Sequence, residues 1–343
     1  MKNTNPTGLF DEHFLLERLT KLKDPLVKLN SLINWELFRP TLDRALVNTT
    51  KDKSKGGRPP FDNILMFKIL ILQSIYNLSD DQIEYQIHDR RSFMRFLGLK
   101  ASDKVPDSKT VWLFREKLVQ NELMEELFSC FHARLEEQGL FTQEGRMVDA
   151  TFVEVPKQRN TRDENKAIKA GEKPEGWSEH KQPQKDTDAR WTKKNNENFY
   201  GYKNHVKSDR KSKLILSYEV THAAVHDSQV LKDLLDSGDA GLELHADSAY
   251  SGKKQKKVIN NKKMKSRVHE KGKRGKPLTE KQKKKNTEKS RIRATSEHIF
   301  GFMENSMNQI FTKVIGYQRV ALKIGLQNLT YNIFRSTQLK PTL

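Results

Sequence analysis

The stretch Arg-Met-Val-Asp-Ala-Thr-Phe at residues 146–152 decides the fold, because it sets an acidic residue in a run typical of a buried β-strand. A carboxylate in an otherwise buried strand costs free energy unless something binds it. A second strand-like run, Leu-His-Ala-Asp-Ser-Ala-Tyr at residues 244–250, also ends on an acid. The pattern therefore predicts two strands that each end near one aspartate, Asp149 and Asp247.

A third acid, Glu297, lies in a helical segment, four residues after Arg293 and on the same helix face. Three hard oxygen ligands from distant points of the chain favour Mg²⁺ over Zn²⁺, and Mn²⁺ could substitute for Mg²⁺. Two such ions about 4 Å apart can activate an attacking oxygen and stabilise a leaving one at phosphorus. In this basic chain the three acids predict a phosphoryl-transfer site, with Arg293 orienting Glu297 or binding the scissile phosphate.

Each of these residues also has a simpler interpretation. An aspartate at a strand end ordinarily forms a turn or caps a helix, and a glutamate four residues after an arginine ordinarily makes an exposed ion pair. His205, His222 and His226 could instead be zinc ligands, but one cysteine and no short His-His spacing favour core or supporting roles. The occurrence of all three acids in suitable elements favours the metal site.

The charge of the chain predicts a polyanionic partner. The chain has 63 Lys and Arg against 44 Asp and Glu, a net charge of +19, and nucleic acid is the commonest partner of such proteins. Residues 253–293 hold 19 basic and three acidic residues, so +16 of this charge lies between the second and third acids. This basic insertion is expected to contact DNA phosphates, and its part at 272–286 is expected to be flexible in the free protein. The lysines predicted to bind DNA are Lys281, Lys283, Lys284 and Lys285.

Two domains are predicted. In the first, residues 1–140, the stretch from 10 to about 140 is predicted to be helical throughout. Its short helices with basic ends resemble a helix-turn-helix DNA-binding unit, although an ordinary helical bundle has the same periodicity. The arginines predicted to bind DNA there are Arg90, Arg91, Arg95 and Arg115. Residues 141–335 alternate strands and helices, which predicts an α/β domain with a mixed sheet covered by helices. Residues 156–198 are polar and are expected to form a long mobile loop.

Several motifs together resemble the insertion-sequence-5 family of bacterial transposases, from about residue 10 to the C-terminus. They are Val-Asp-Ala-Thr at 148–151, Phe-Tyr-Gly-Tyr-Lys-Asn-His at 199–205, Thr-His-Ala-Ala-Val-His-Asp at 221–227, Ala-Asp-Ser-Ala-Tyr at 246–250, and Arg293 with Glu-His-Ile-Phe at 297–300. The resemblance implies an RNase H-like catalytic fold in which Asp149, Asp247 and Glu297 bind metal. Related families carry Tyr and Lys where this chain has Ser290 and Glu304.

The resemblance implies a DDE transposase, which performs metal-dependent cleavage and strand transfer at the ends of an insertion sequence. The expected partners are the terminal inverted repeats and target DNA, with a homodimer joining two ends. Two alternatives remain: a catalytically inactive DNA-binding regulator derived from a transposase, and a metal-dependent nuclease that does not join strands. No run of 18 apolar residues occurs, so no membrane partner is expected, and a cytoplasmic, nucleoid-associated location is predicted.

Overall fold

The computed structural model of the protein describes residues 11–46, 59–194, 196–272, 275–308 and 311–339. The chain divides into two compact units, one of Met1–Phe131 with Ser336–Leu343 and the other of His132–Arg335. Residues 1–10 of the predicted first domain and residues 273–274 of the predicted basic insertion lie outside the described residues. No helix in the described ranges is long and apolar enough to cross a membrane.

The first unit is helical, as the sequence predicts. Its helices are α1 (Asp11–Lys21), α2 (Pro25–Leu32), α3 (Arg39–Leu46), α4 (Asn63–Tyr76), α5 (Asp80–Asp89), α6 (Arg91–Leu97), α7 (Ser108–Gln120) and α8 (Met124–Glu137), the last of which continues into the second unit. Helix α4 forms the core because it is apolar on almost every face and buried along most of its length. It begins where the Asp62 carboxylate accepts hydrogen bonds from the Ile64 and Leu65 amides, and it ends at Asn77 in a left-handed conformation.

The second unit is a mixed sheet with helices on both faces. Its elements are β1 (Arg146–Glu154), α9 (Arg162–Ala170), β2 (Arg190–Lys194), β3 (Glu197–Asp209), β4 (Ile215–His222), α10 (Leu231–Leu234), β5 (Glu243–Ala246), α11 (Lys253–Asn261), β6 (Lys265–Ser266), α12 (Glu280–Asn305) and α13 (Tyr317–Leu339). The strand order is β2-β3-β1-β5-β6, and β4 also pairs with β3. Strand β1 is antiparallel to β3 and parallel to β5. The predicted mixed α/β architecture is therefore confirmed.

The two faces of this sheet are covered by different helices. Val148 on β1 packs with buried residues of α10 and α11, whereas Val153, five residues further on, packs with α13. Because successive side chains of a strand point to opposite faces, Asp149 shares the face of Val153. Helix α12 packs against β1 and β5, and so lies beside the aspartates of the two strands.

The expectation of a long mobile loop at 156–198 is wrong. Thr161 begins α9 with a capping box in which its hydroxyl accepts from the Glu164 amide and the Glu164 side chain accepts from the Thr161 amide. The indole N–H of Trp177 donates to the same Glu164 carboxylate at 2.6 Å. Further along, Asp186 is buried and accepts a hydrogen bond of 2.7 Å from the Tyr202 hydroxyl of β3. These polar residues are ordered because they satisfy one another and the sheet.

The expectation that residues 272–286 are flexible is also wrong for the second half of that segment. Thr279 and Gln282 form another capping box, which begins α12 at Glu280. The side-chain amide of Gln282 also donates to the Glu270 carboxylate at 2.6 Å. Lys281, Lys283, Lys284 and Lys285 therefore lie on the first turns of a helix.

Candidate active site

Asp149 lies at the point where the pairing between β1 and β5 ends. The two parallel strands pair from Arg146 with Leu244 to Val148 with Ala246, and the next residues in the chain are Asp149 and Asp247. Asp247 follows the end of β5, as predicted, whereas β1 continues past Asp149 to Glu154, so the prediction that Asp149 ends its strand is wrong. Neighbouring strands are about 5 Å apart, so this register sets the two carboxylates side by side. The Asp247 carboxylate also accepts a hydrogen bond of 2.8 Å from the Ala249 amide, which caps the short helical turn after β5.

Helix α12 contacts Asp149 through two side chains. The hydroxyl of Ser296 donates to Asp149 Oδ2 at 2.8 Å, and a guanidinium nitrogen of Arg293 lies 3.2 Å from the same oxygen. Ser296 is 1% exposed. Sequence reasoning missed Ser296, although it lies three residues after Arg293 and therefore on the same helix face.

Glu297 is less closely associated with the two aspartates. Its carboxylate lies 3.8 Å from the Arg293 guanidinium, and its side chain is 67% exposed. Arg293 therefore contacts both Asp149 and Glu297. Among the described residues, no group of three or more His, Cys, Asp or Glu side chains is arranged to hold a metal ion. The structure thus brings together Asp149, Asp247 and Arg293 but does not bring Glu297 into a three-carboxylate cluster.

The environment of Asp149 disfavours its charge. Burial is the largest cause and raises the pKa of its carboxyl group, while the hydrogen bonds from Ser296 and from the Ala150 amide and the charge of Arg293 lower it. The negative charge of Asp247 raises the pKa further, and the net direction is upward. A buried carboxyl group that is destabilised by a second one is a favourable position for a cation.

A second set of polar residues lies near the acid pair. The Lys203 ammonium donates to the Asp227 carboxylate at 2.8 Å and to the Val225 carbonyl at 2.7 Å. Tyr250 is 1% exposed, and within the described ranges its hydroxyl has no hydrogen-bond partner. Burial raises the pKa of Tyr250, and the charges of Asp227, Asp149 and Asp247 raise it further. Lys203, Asp227 and Tyr250 lie in the motifs at 199–205, 221–227 and 246–250, and this position could have marked them as site residues in the sequence.

The arginines predicted to bind DNA are on the first unit, and two of them, Arg115 and Arg95, make hydrogen bonds to other helices of that unit. Arg115 donates to both carboxylate oxygens of Asp80 at 2.7 and 2.6 Å, and both side chains are 22% exposed. Arg95 donates to the Leu16 carbonyl at 3.0 Å and to the Thr20 hydroxyl at 2.7 Å. The bidentate pair holds α5 against α7, which gives Arg115 a structural role in the first unit, and its contact with DNA stays a prediction.

Arg90 and Arg91 are more accessible. The Arg90 guanidinium lies 5.1 Å from the centre of the Phe93 ring, and Arg91 lies 3.6 Å from Glu12 in an exposed ion pair. The four lysines of the second unit lie on the exposed first turns of α12; they are Lys281, Lys283, Lys284 and Lys285. Lys283 also contacts Glu280 at 2.8 Å, one turn earlier, in a solvent-exposed pair that stabilises the helix little.

Ser290 and Glu304 are the two positions at which the family resemblance implies Tyr and Lys. The Ser290 hydroxyl lies 3.0 Å from Nε2 of His269, so it faces the segment that follows β6. Glu304 is exposed near the end of α12.

Comparison with known proteins identifies the two parts of the chain. Residues 14–117 match a family model described as "Transposase domain (DUF772)", and residues 141–333 match one described as "Transposase DDE domain". The chain also aligns over 92% of its length with 75% of a chain in a cryo-EM structure of a piggyBac transposase synaptic complex with hairpin DNA, at 12% identity and a TM-score of 0.45. That likeness is too distant to support an argument. The DDE model spans more than half of the chain and agrees with the RNase H-like arrangement of its sheet and helices, so the chain belongs to the DDE transposase family.

Proposed function

We propose that this DDE transposase cleaves DNA at the terminal inverted repeats of an insertion sequence of the insertion-sequence-5 family and joins the ends to target DNA. The observation that supports this most directly is the position of Asp149 beside Asp247 at the end of the β1–β5 pairing, under α12. In this proposal Asp149, Asp247 and Glu297 are the metal-binding acids, and Arg293 acts with them.

The residues at the site fit a divalent cation. The buried Asp149 carboxyl group has a raised pKa, partly because of Asp247, and a divalent cation would remove that repulsion. Carboxylate oxygens are the ligands that Mg²⁺ prefers, and Mn²⁺ accepts the same set. When bound, two ions would activate the attacking oxygen and stabilise the leaving oxygen of the phosphodiester. Asp149 and Asp247 would hold them, and Glu297 would join after its exposed side chain rotates toward the pair.

The other side chains of the site act on the substrate and on the acids. Ser296 holds the Asp149 carboxylate in one orientation through its 2.8 Å hydrogen bond. Arg293 is 3.2 Å from that carboxylate and is one of the few cations at the site, so we assign it to binding the scissile phosphate. The same arrangement accepts water as nucleophile for cleavage and a DNA 3′-hydroxyl for joining.

The DNA-binding surface is proposed from charge and exposure. Lys281, Lys283, Lys284 and Lys285 lie on exposed turns of the helix that carries Arg293, and a run of lysines positions phosphates without reading bases. In the first unit, the proposed residues for DNA recognition are Arg90, Arg91, Arg95 and Arg115. We propose that residues 1–140 recognise the DNA ends and that residues 141–335 perform the chemistry.

Joining two ends requires two catalytic sites, so we propose a homodimer in the synaptic complex. A cytoplasmic location on the nucleoid is part of the same proposal.

The test is cleavage and strand transfer with DNA that carries the element's own ends, in Mg²⁺ and in Mn²⁺. The variants Asp149→Asn, Asp247→Asn and Glu297→Gln should each lose cleavage and keep DNA affinity. Glu304→Gln is the matched control, because Glu304 is exposed on the same helix two turns after Glu297. Full cleavage by one of the three variants would remove that residue from the site.

The same assay separates the alternatives. A nuclease would release cleaved DNA without joined product at any concentration of target. An inactive regulator would bind the ends and show no cleavage in either metal. Product in which the 3′-end of the element is joined to target DNA is expected only for a transposase.

A further inference from the structure

We propose that His269 is a positioning residue, which holds the end of β5, and with it Asp247, at a fixed distance from α12. The proposal rests on the function proposed above for Asp247 and Arg293. It concerns a short strap, residues 268–270, which follows β6 and runs between β5 and α12.

The imidazole of His269 connects the two elements directly. Nδ1 lies 3.1 Å from the Ala246 carbonyl oxygen, and the His269 backbone amide donates to the same oxygen at 3.2 Å. On the other side of the ring, Nε2 lies 3.0 Å from the Ser290 hydroxyl and 3.2 Å from the Asn286 carbonyl oxygen. One side chain thus contacts the last residue of β5 and two successive turns of α12.

The chemistry of these partners assigns the hydrogen-bond roles. A carbonyl oxygen only accepts, so Nδ1 must carry the hydrogen that points at Ala246. At Nε2 the Asn286 carbonyl oxygen can only accept a hydrogen, whereas the Ser290 hydroxyl can either donate or accept one. The ring therefore makes one bond to each element at the same time, and a side chain shorter than histidine could not span both.

Neighbouring residues of the strap reinforce this connection. The Lys289 ammonium donates to the Val268 carbonyl at 2.8 Å. The Asn286 side chain accepts from the Glu270 amide at 3.0 Å and donates to the Glu270 carbonyl at 2.9 Å. All three residues of the strap are thus bonded to α12, and the His269 ring and backbone amide also tie it to the end of β5.

The connection matters because it joins the end of β5, which Asp247 follows, to α12, which carries Arg293 beside Asp149 of β1. Ala246 immediately precedes Asp247, and Ser290 lies one turn before Arg293, which contacts Asp149 on β1. The pairing of β1 with β5 ends at Val148 and Ala246, so it does not hold Asp247 itself. The strap therefore contributes, together with the packing of α12 on β1 and β5, to the distance of Asp247 from Arg293 and Glu297. Errors of about 1 Å in such distances can cost 100-fold in rate.

The first experiment measures the connection without using activity. Hydrogen exchange of the full-length protein is followed by mass spectrometry in peptides that cover residues 244–250 and 286–297. His269→Ala should speed exchange in both peptides together, because both ends of the connection are released. His180→Ala, which removes an exposed histidine of the same unit, should leave both unchanged. Unchanged exchange in His269→Ala would overturn the proposal.

The second experiment measures the consequence for cleavage. His269→Ala should lower kcat about 10- to 100-fold, with KM for DNA within about twofold of wild type. Asparagine can keep the Ala246 bond but reaches neither Ser290 nor Asn286, whereas Ser290→Ala keeps the Asn286 contact; both variants should be faster than His269→Ala. Thr287→Ala, which removes an exposed hydroxyl from the same helix, is the control.

A double-mutant cycle distinguishes positioning from general destabilisation. Ser290→Ala should cost nothing further in the His269→Ala background, because the hydroxyl has already lost its partner. Equal costs in the two backgrounds would overturn the proposal, as would a loss of kcat that disappears when each variant is assayed well below its own Tm. If wild-type protein cleaves no DNA in any metal, the proposed function fails, whereas the exchange result still decides the role of His269.

Discussion

The guanidinium of Arg293 lies between two carboxylates, 3.2 Å from Asp149 and 3.8 Å from Glu297. Without metal, this arginine supplies the positive charge that partly offsets the burial of Asp149. A cation that binds Asp149 Oδ2 must compete with it. The same arginine is therefore expected to oppose metal binding in the free enzyme and to assist catalysis once DNA phosphate is present.

Arg293→Ala should separate these two effects. We expect tighter Mg²⁺ binding to the free protein by isothermal titration, because the competing cation is gone, and cleavage reduced about 100-fold, because the phosphate loses its contact. Arg293→Lys retains the charge and should show intermediate values of both. Weaker Mg²⁺ binding in Arg293→Ala would show that the arginine orients the acids instead of competing for them.

Asp149→Asn should stabilise the metal-free protein near neutral pH. The folded-state pKa of Asp149 is raised above its unfolded value, so ionisation favours unfolding and stability is lost as pH rises through the folded pKa. The gain in Tm over wild type in EDTA should therefore be present at pH 7.5 and should shrink as the pH is lowered toward 4. A Tm difference that does not change with pH would contradict the assignment of the cost to the charge of Asp149.

Arg115 and Arg91 should behave differently when replaced by alanine. Arg115→Ala leaves the part-buried Asp80 without its bidentate partner and should cost about 1–3 kcal/mol of unfolding free energy, measured by urea denaturation. Arg91→Ala loses only an exposed ion pair and should leave stability unchanged while weakening DNA binding. A stable Arg115→Ala protein with weakened DNA binding would show that Arg115 contacts DNA and is not needed to hold α5 against α7.

Affinity for DNA should depend strongly on salt because lysines that contact phosphates release counterions. Replacing Lys281, Lys283, Lys284 and Lys285 by glutamine should weaken binding to all sequences alike. The slope of log affinity against log salt should flatten by about 0.9 for each lysine that contacts a phosphate. The control removes the same charge from exposed lysines outside the basic insertion, namely Lys166, Lys169, Lys173 and Lys193. A loss confined to the element's own ends would mean that α12 reads bases.

Lys68 should make the protein more stable as pH rises from 8 to 10. Its ammonium is buried in the first unit, 2.8 Å from the Asn30 side chain and 4.7 Å from the centre of the Phe96 ring, and burial lowers its pKa to about 8. The unfolded chain therefore binds one more proton than the folded chain between pH 8 and 10, which makes stability increase with pH there. Lys68→Met should remove this increase in the free energy of unfolding; an identical slope in both proteins would contradict it.

Local patterns of the sequence were sufficient to predict the strands and helices that carry the acids of the catalytic unit. The apolar residues around Asp149 and Asp247 predict strands, and the structure pairs those strands as neighbours. The order of the region 156–198 was not predicted, because its polar composition resembles a loop. The capping box of Thr161 with Glu164 was readable, but the burial of Asp186 under Tyr202 depends on a strand that is distant in sequence. Ser296 was missed for the same reason, since its partner Asp149 is 147 residues away.

The sequence by itself determined which elements carry the acids, where the positive charge lies and which family the motifs resemble, because these depend on residue type and short-range periodicity. The tertiary structure alone decided which groups meet. It places Ser296 and Arg293 on Asp149, leaves Glu297 exposed beyond Arg293, pairs Arg115 with Asp80 and sets His269 between Ala246 and Ser290. Such contacts follow from strand register and helix orientation, which long-range packing selects and which no local stretch of sequence specifies.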